Sequence, residues 1–216
     1  MQVQFRADLL VLMLLSCSAP SAAEECNLPE RMQQSALHKL SGMRWVLVES
    51  FSDYPRGEEL MKITNSSITV IHLKDNNESF MFTERNLVAG KCLIFRGNLS
   101  IPDPETSNHS LLLDNTGVRE FEGVVVPYDD KGRADVYQTC PHCLIIVYHG
   151  VFEGMPGRIL LIYRSEGKHL DADELKAAAS DHRRIAECLK FNVEISFRYN
   201  GKAEFCQEKK KEQEEA

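Results

Sequence analysis

Between residues 45 and 164 the chain is a succession of short strand-forming runs separated by turn residues, and this succession limits the possible folds more than any other feature. Trp45 to Phe51, Ile68 to Lys74, Ser79 to Arg85, Lys91 to Ser100 and Ser110 to Asp114 are the first five runs. Phe121 to Tyr128, Val136 to Gln138 continuing into Leu144 to His149, and Arg158 to Arg164 bring the number to eight. Asp75-Asn76-Asn77, Asp114-Asn115-Thr116-Gly117 and Asp129-Asp130-Lys131-Gly132 read as turns, because Asn, Asp and Gly tolerate positive φ. Eight such strands imply a sandwich or an up-and-down barrel. One helix follows, Asp171 to Leu189, with aspartates at its start and a stripe of Leu175, Ala178, Ala179, Ala186 and Leu189. A last strand, Val193 to Tyr199, comes after it, and a helical turn, Glu30 to Leu40, precedes the first strand.

The N-terminus sets the compartment. Leu9 to Leu15 form a short apolar run followed by Ser21-Ala22-Ala23, a signal peptide over residues 1 to 23 with the mature chain starting near Glu24. The run is too short to span a bilayer, and no later stretch approaches the length that spanning needs, so an integral membrane protein is not expected. Removing 23 of 216 residues leaves 193, which suits one domain, residues 24 to 206, followed by a charged, disordered tail over residues 207 to 216. The charge of −7 argues against nucleic acid, which needs a concentrated basic face. Four glycosylation sequons, at Asn65, Asn77, Asn98 and Asn108, agree with export to an extracellular, plasma-like fluid.

Six of the 7 cysteines lie in the mature chain, and in an oxidising compartment they read as three disulfides with fifteen possible pairings. Residues 139 to 143, TCPHC, contain a Cys-x-x-Cys pair, which occurs in thiol-disulfide enzymes and in zinc sites. A redox site needs that pair at the start of a helix, whereas LIIVYHG follows here as a β-run. Zinc needs two further ligands, and no second Cys-x-x-Cys or close His pair supplies them. Catalytic and metal-ligating residues are therefore assigned to none, and no cofactor is expected. A thiol-disulfide enzyme working through Cys140 and Cys143 stands as an alternative to binding.

Gly42 and Trp45 at the entry to the first strand, with Arg164 after the eighth, resemble the lipocalin signature, in which the arginine packs across the tryptophan. The Thr-Asp-Tyr corner of that family is replaced by Cys140-Pro141-His142-Cys143 after Thr139. Gly90-Lys91-Cys92, Cys140-Pro141, Cys188-Leu189 and Phe205-Cys206 are similar to the apolipoprotein M and α1-acid glycoprotein group of lipocalins, which includes fish plasma proteins that bind tetrodotoxin, saxitoxin or organotins. The resemblance implies an eight-stranded antiparallel barrel with one C-terminal helix and a short final strand. It implies Cys26 paired with Cys188 and Cys92 with Cys206; the family's third bridge lacks its partner cysteine here, which leaves Cys140 and Cys143 for each other.

The same resemblance implies a monomeric extracellular carrier, not an enzyme, that holds a small hydrophobic or amphiphilic ligand: a lipid, retinoid, sphingolipid or xenobiotic. Lipoprotein particles are a further partner it allows, and a lipoprotein-associated or acute-phase glycoprotein is a further alternative. Alternation offers inward sets Phe80/Phe82, Phe95, Phe121/Gly123/Val125, Leu144/Ile146/Tyr148 and Leu161/Tyr163. Phe82, Phe95, Phe121 and Tyr148 are the expected apolar contacts from these sets, and Arg96 and Arg119 the expected polar anchors.

Overall fold

The structure is a computed structural model describing residues 26 to 75, 78 to 113, 116 to 152 and 154 to 207. The expected signal segment, Asn77 and the residues beyond 207, where a tail is expected, lie outside the described residues. A 3-10 turn, Gln34–Leu40, leads into β1 (Arg44–Ser52), and α1 (Pro55–Ile63) joins β1 to β2 (Thr64–Leu73). Then come β3 (Ser79–Val88), β4 (Lys91–Ser100), β5 (Leu111–Leu113), β6 (Gly117–Phe121), β7 (Val124–Tyr128), β8 (Gly132–Cys140), β9 (Cys143–Phe152) and β10 (Met155–Ser165). Helix α2 (Ala172–Cys188) and β11 (Phe197–Arg198) complete the order.

Eight antiparallel strands close the barrel, because β5 with β6 and β7 with β8 each make one interrupted strand. Leu111 faces Ala134 and Gly117 faces Tyr128, so the two pairings keep the same register across the interruption. β4 pairs with β5 and β6, β8 with β9, β9 with β10, β10 with β1, β1 with β2, β2 with β3, and β3 with β4. The β3–β4 pairing closes the sheet, and among the described strands β7 and the two-residue β11 have a single neighbour each.

Four expectations from sequence need correction. Phe121 to Tyr128 is not one strand but a hairpin, turning at Glu122 and Gly123, whose φ values of 49° and 83° are those a tight two-residue turn requires. Gln138 to Leu144 is likewise not continuous strand: Cys140 faces Cys143 across the turn between β8 and β9. The final strand is only Phe197–Arg198, and the leading helical turn is 3-10 over Gln34–Leu40. Helix α1, with its short polar Arg-Gly-Glu-Glu stretch, stands where the sequence reading assigned no element.

The described ends of α2 follow from local chemistry, with the Asp171 carboxylate accepting from the Glu174 N–H as its N-cap. Ile185 and Ala186 pack with Phe191 on Val48, Phe51, Ile145, Leu160 and Ile162, on the outer wall of the barrel. Three disulfides tie the periphery: Cys26 to Cys188, Cys92 to Cys206, and Cys140 to Cys143.

Candidate ligand-binding site

Strand parity sorts the wall into two faces, since directly opposed residues share one side of the sheet. Trp45, Leu47, Ile71, Phe80, Leu111, Val136, Leu144 and Tyr163 belong to one interior cluster and are each 2 % or less exposed. They fill the end where β1 begins, with Leu37 and Leu40 of the 3-10 turn beneath them. Towards the other end, inward residues of the same strands keep contact with solvent: Phe82, Glu84, Leu93, Phe95, Tyr128, Ile146, Tyr148 and Leu161 are only half-buried. Side chains that point into a closed barrel and still meet solvent must border an open lumen. The barrel is therefore packed solid at one end and hollow towards the other.

Two acidic groups stand in that lumen, and neither was singled out from sequence. Glu84 continues the inward series Phe80, Phe82 and faces Phe95 across β3 and β4. Its carboxylate accepts from the Asn86 side-chain amide at 2.7 Å. Burial pushes the Glu84 carboxyl above its ordinary value despite that bond. Asp130 lies in the interruption between β7 and β8, where the hydroxyls of Tyr148, at 2.6 Å, and Tyr128, at 3.3 Å, both donate to its Oδ2. Burial raises the Asp130 carboxyl as well, against the pull of the two phenols and the Val151 N–H. The Tyr148 and Tyr128 phenols are raised in turn by burial, then by Asp130, with Glu84 adding to both.

Of the expected contacts, Phe82, Phe95 and Tyr148 occupy this lumen wall, and the Phe95 ring lies 4.9 Å from that of Tyr128. Arg96 does not belong there. It stands opposite Thr83 on the outer face, one residue out of phase with Phe95, and donates to Glu120 at 3.1 Å. Arg119 has inward parity, opposite Phe95, but is exposed near the rim. Phe121 stands at the hairpin tip, 39 % exposed, with the Lys91 ammonium 5.9 Å from its ring centroid. Gly123 is in the turn and Val125 is exposed on the outer face.

The expected Arg164–Trp45 stack is also replaced. Trp45 points inward, whereas Arg164 faces Val46 and points outward, where its guanidinium lies against the sulfurs of Cys140 and Cys143. The cation–π contacts among the described residues are Lys91 on Phe121 and Arg158 on Phe191. Asn65 and Asn108 are exposed, and Asn98 is half-buried on the outer face of β4. A separate concavity of about 500 Å³ on the outer wall is bounded by Lys131, Arg133, His149 and the Asp53–Arg158 ion pair. Among the described residues no group of three or more potential metal ligands occurs, and no helix is long and apolar enough to cross a membrane.

Solved structures share this architecture. The siderocalin Ex-FABP superposes with a TM-score of 0.53 at 11 % identity, covering 79 % of this chain and 99 % of that one. A dog lipocalin allergen gives 0.51 at 17 % identity, covering 78 % of this chain and 97 % of that one. The chain has the lipocalin fold. No protein-family model matches it. Two curated proteins of Takifugu pardalis, saxitoxin and tetrodotoxin-binding proteins 1 and 2, are each 35 % identical to this chain over 207 residues, 95 % of its length. The chain spans about half the length of these relatives, since it covers 50 % of each.

Proposed function

We propose that this lipocalin is a secreted, glycosylated extracellular carrier that holds one small hydrophobic or amphiphilic molecule in the hollow part of its barrel and performs no catalysis. The observation that carries this reading is the ring of half-buried inward side chains, Phe82, Leu93, Phe95, Ile146 and Leu161, above a floor that is fully packed. Such a lumen binds by removing ligand hydrocarbon from water, worth about 25 cal/mol per Å² of apolar surface buried, while a few polar groups set orientation. The naming of two relatives for saxitoxin and tetrodotoxin binding supports a small-molecule ligand. Export is supported by the signal-like N-terminus and by three disulfides.

Titration of the purified protein with a neutral naphthylamine probe tests the reading. We expect saturable binding at one site per chain, weakened several-fold by Phe95→Ala. Fluorescence that rises without saturating, or that ignores substitution inside the barrel, overturns it.

A further inference from the structure

We propose that the carboxyl groups of Glu84 and Asp130 receive a cationic end, an ammonium or guanidinium group, of the ligand this barrel carries; the proposal rests on the carrier reading above. The inward face of the described wall holds these two acids in its lumen, and its basic side chains, Arg119 and Lys91, stand exposed near the rim, Lys91 paired with Glu122. The remaining arginines of the wall, Arg44, Arg85, Arg96, Arg133, Arg158 and Arg164, have the opposite parity. The lumen is therefore an acidic chamber with apolar walls.

Asp130 is built as an acceptor. It is 4 % exposed, its Oδ2 is held by the two tyrosine hydroxyls, and its Oδ1 is buried without a hydrogen-bond partner among the described residues. A buried carboxylate oxygen left without a donor is costly, so a ligand that brings N–H groups to it gains what the protein does not supply. Glu84 receives the Asn86 amide and has capacity for further donors. The rings of Phe82, Phe95 and Tyr128 add faces on which a cation rests favourably. A ligand anion would instead meet like charge, and a purely apolar ligand would bury both acids without compensation.

Binding of a cation then displaces protons. The groups facing Glu84 are Asn86, Phe95, Tyr128, Tyr148 and Tyr163, with Arg119 above; those facing Asp130 are Tyr128, Tyr148, Asp129 and the Val151 N–H. None of them is a buried cation that would hold the empty site ionised. Both carboxyls, raised by burial, keep their protons to higher pH than free side chains do, and an arriving cation favours the ionised form. Cation affinity accordingly rises with pH through the range in which these groups titrate, and falls on acidification.

Calorimetric titration with octylguanidinium, octan-1-ol and octanoate tests the proposal on the full secreted chain. Octylguanidinium should bind at least tenfold tighter than octanol and release protons, seen as a heat that differs between buffers of different ionisation enthalpy. Glu84→Gln, and separately Asp130→Asn, should each remove most of that advantage, and octanol that still binds saturably reports that the variant is folded. Octanol or octanoate binding as tightly as the cation overturns the proposal and leaves the carrier standing. A cation preference indifferent to both substitutions overturns the assignment to these residues. Failure of all three ligands to bind sinks the carrier reading and the proposal together.

Discussion

The hydroxyl of Tyr148 donates to Asp130 Oδ2 at 2.6 Å across the inner wall, and the bond exists because Gly132 stands between them without a side chain. A Cβ at position 132 would overlap the Tyr148 hydroxyl and lie 2.8 Å from the His149 carbonyl oxygen, which is backbone and cannot yield. Gly132→Ala should therefore displace the Tyr148 ring and cost about 1 to 3 kcal/mol, the usual range for overpacking. Urea unfolding reads the loss, and unchanged stability would mean that the ring does not lie on β8.

Tyr148→Phe removes the shorter of the two donors to Asp130 while keeping the ring. The carboxyl then keeps Tyr128 and should titrate higher still, since a bond to the charged form is gone. Carboxyl-resolved NMR titration of Asp130 in the variant should show an upward shift; a downward one contradicts the assignment.

Glu49, on the outer wall, joins β1 to α2 and β11. Its carboxylate meets His182 Nδ1 at 2.8 Å and Arg198 at 2.6 Å while itself 4 % exposed. Burial works to raise this carboxyl, but the bonds and charges of His182 and Arg198 outweigh it and hold Glu49 below its ordinary value. A group depressed in the folded state contributes stability above its unfolded pKa, near 4.5, and loses it as pH falls through the folded value. Stability should thus decline below about pH 4.5, and Glu49→Gln should lose about 3 kcal/mol near neutrality, the cost of breaking a buried pair. Chemical unfolding from pH 3 to 7 checks both, and a variant with the native pH profile would refute the linkage.

The disulfides differ in what they restrain. Cys26 and Cys188 are 162 residues apart and Cys140 and Cys143 only 3. Chain-entropy reasoning gives about 5 kcal/mol for the first and about 2 for the second. The Cys140→Ser, Cys143→Ser double variant should therefore melt closer to the native protein than the Cys26→Ser, Cys188→Ser variant does. The reverse order would show that the hairpin bridge, with the Arg164 guanidinium against it, matters more than its span.

The mature N-terminus and glycans can be read together. Secreted protein should begin at Glu24 and lose mass on enzymatic deglycosylation, with exposed Asn65 and Asn108 modified. Edman sequencing that starts before Glu24 would show that the leader is retained.

Alternation, turn residues and the capping Asp171 determined the succession of strands and the extent of α2, because these are local consequences of side-chain type along the chain, while a barrel rather than a sandwich was implied only by the lipocalin resemblance. Which residues look into the lumen was decided only by the folded structure. A bulge in β1 between Leu47 and Glu49 resets the parity, sending Val48 and Glu49 outward together, and no residue in that run announces it. Arg96 and Arg119 differ in face because each sits in its own register, and a single residue of offset reverses a side chain. The signal for Glu84 was present, since it shares parity with Phe80 and Phe82, but an acid at the end of a run reads as solvated. Asp130 read as one more turn residue; only the pairing of β9 with β8, which lays Tyr148 along it, brings that carboxyl into contact with the inner wall.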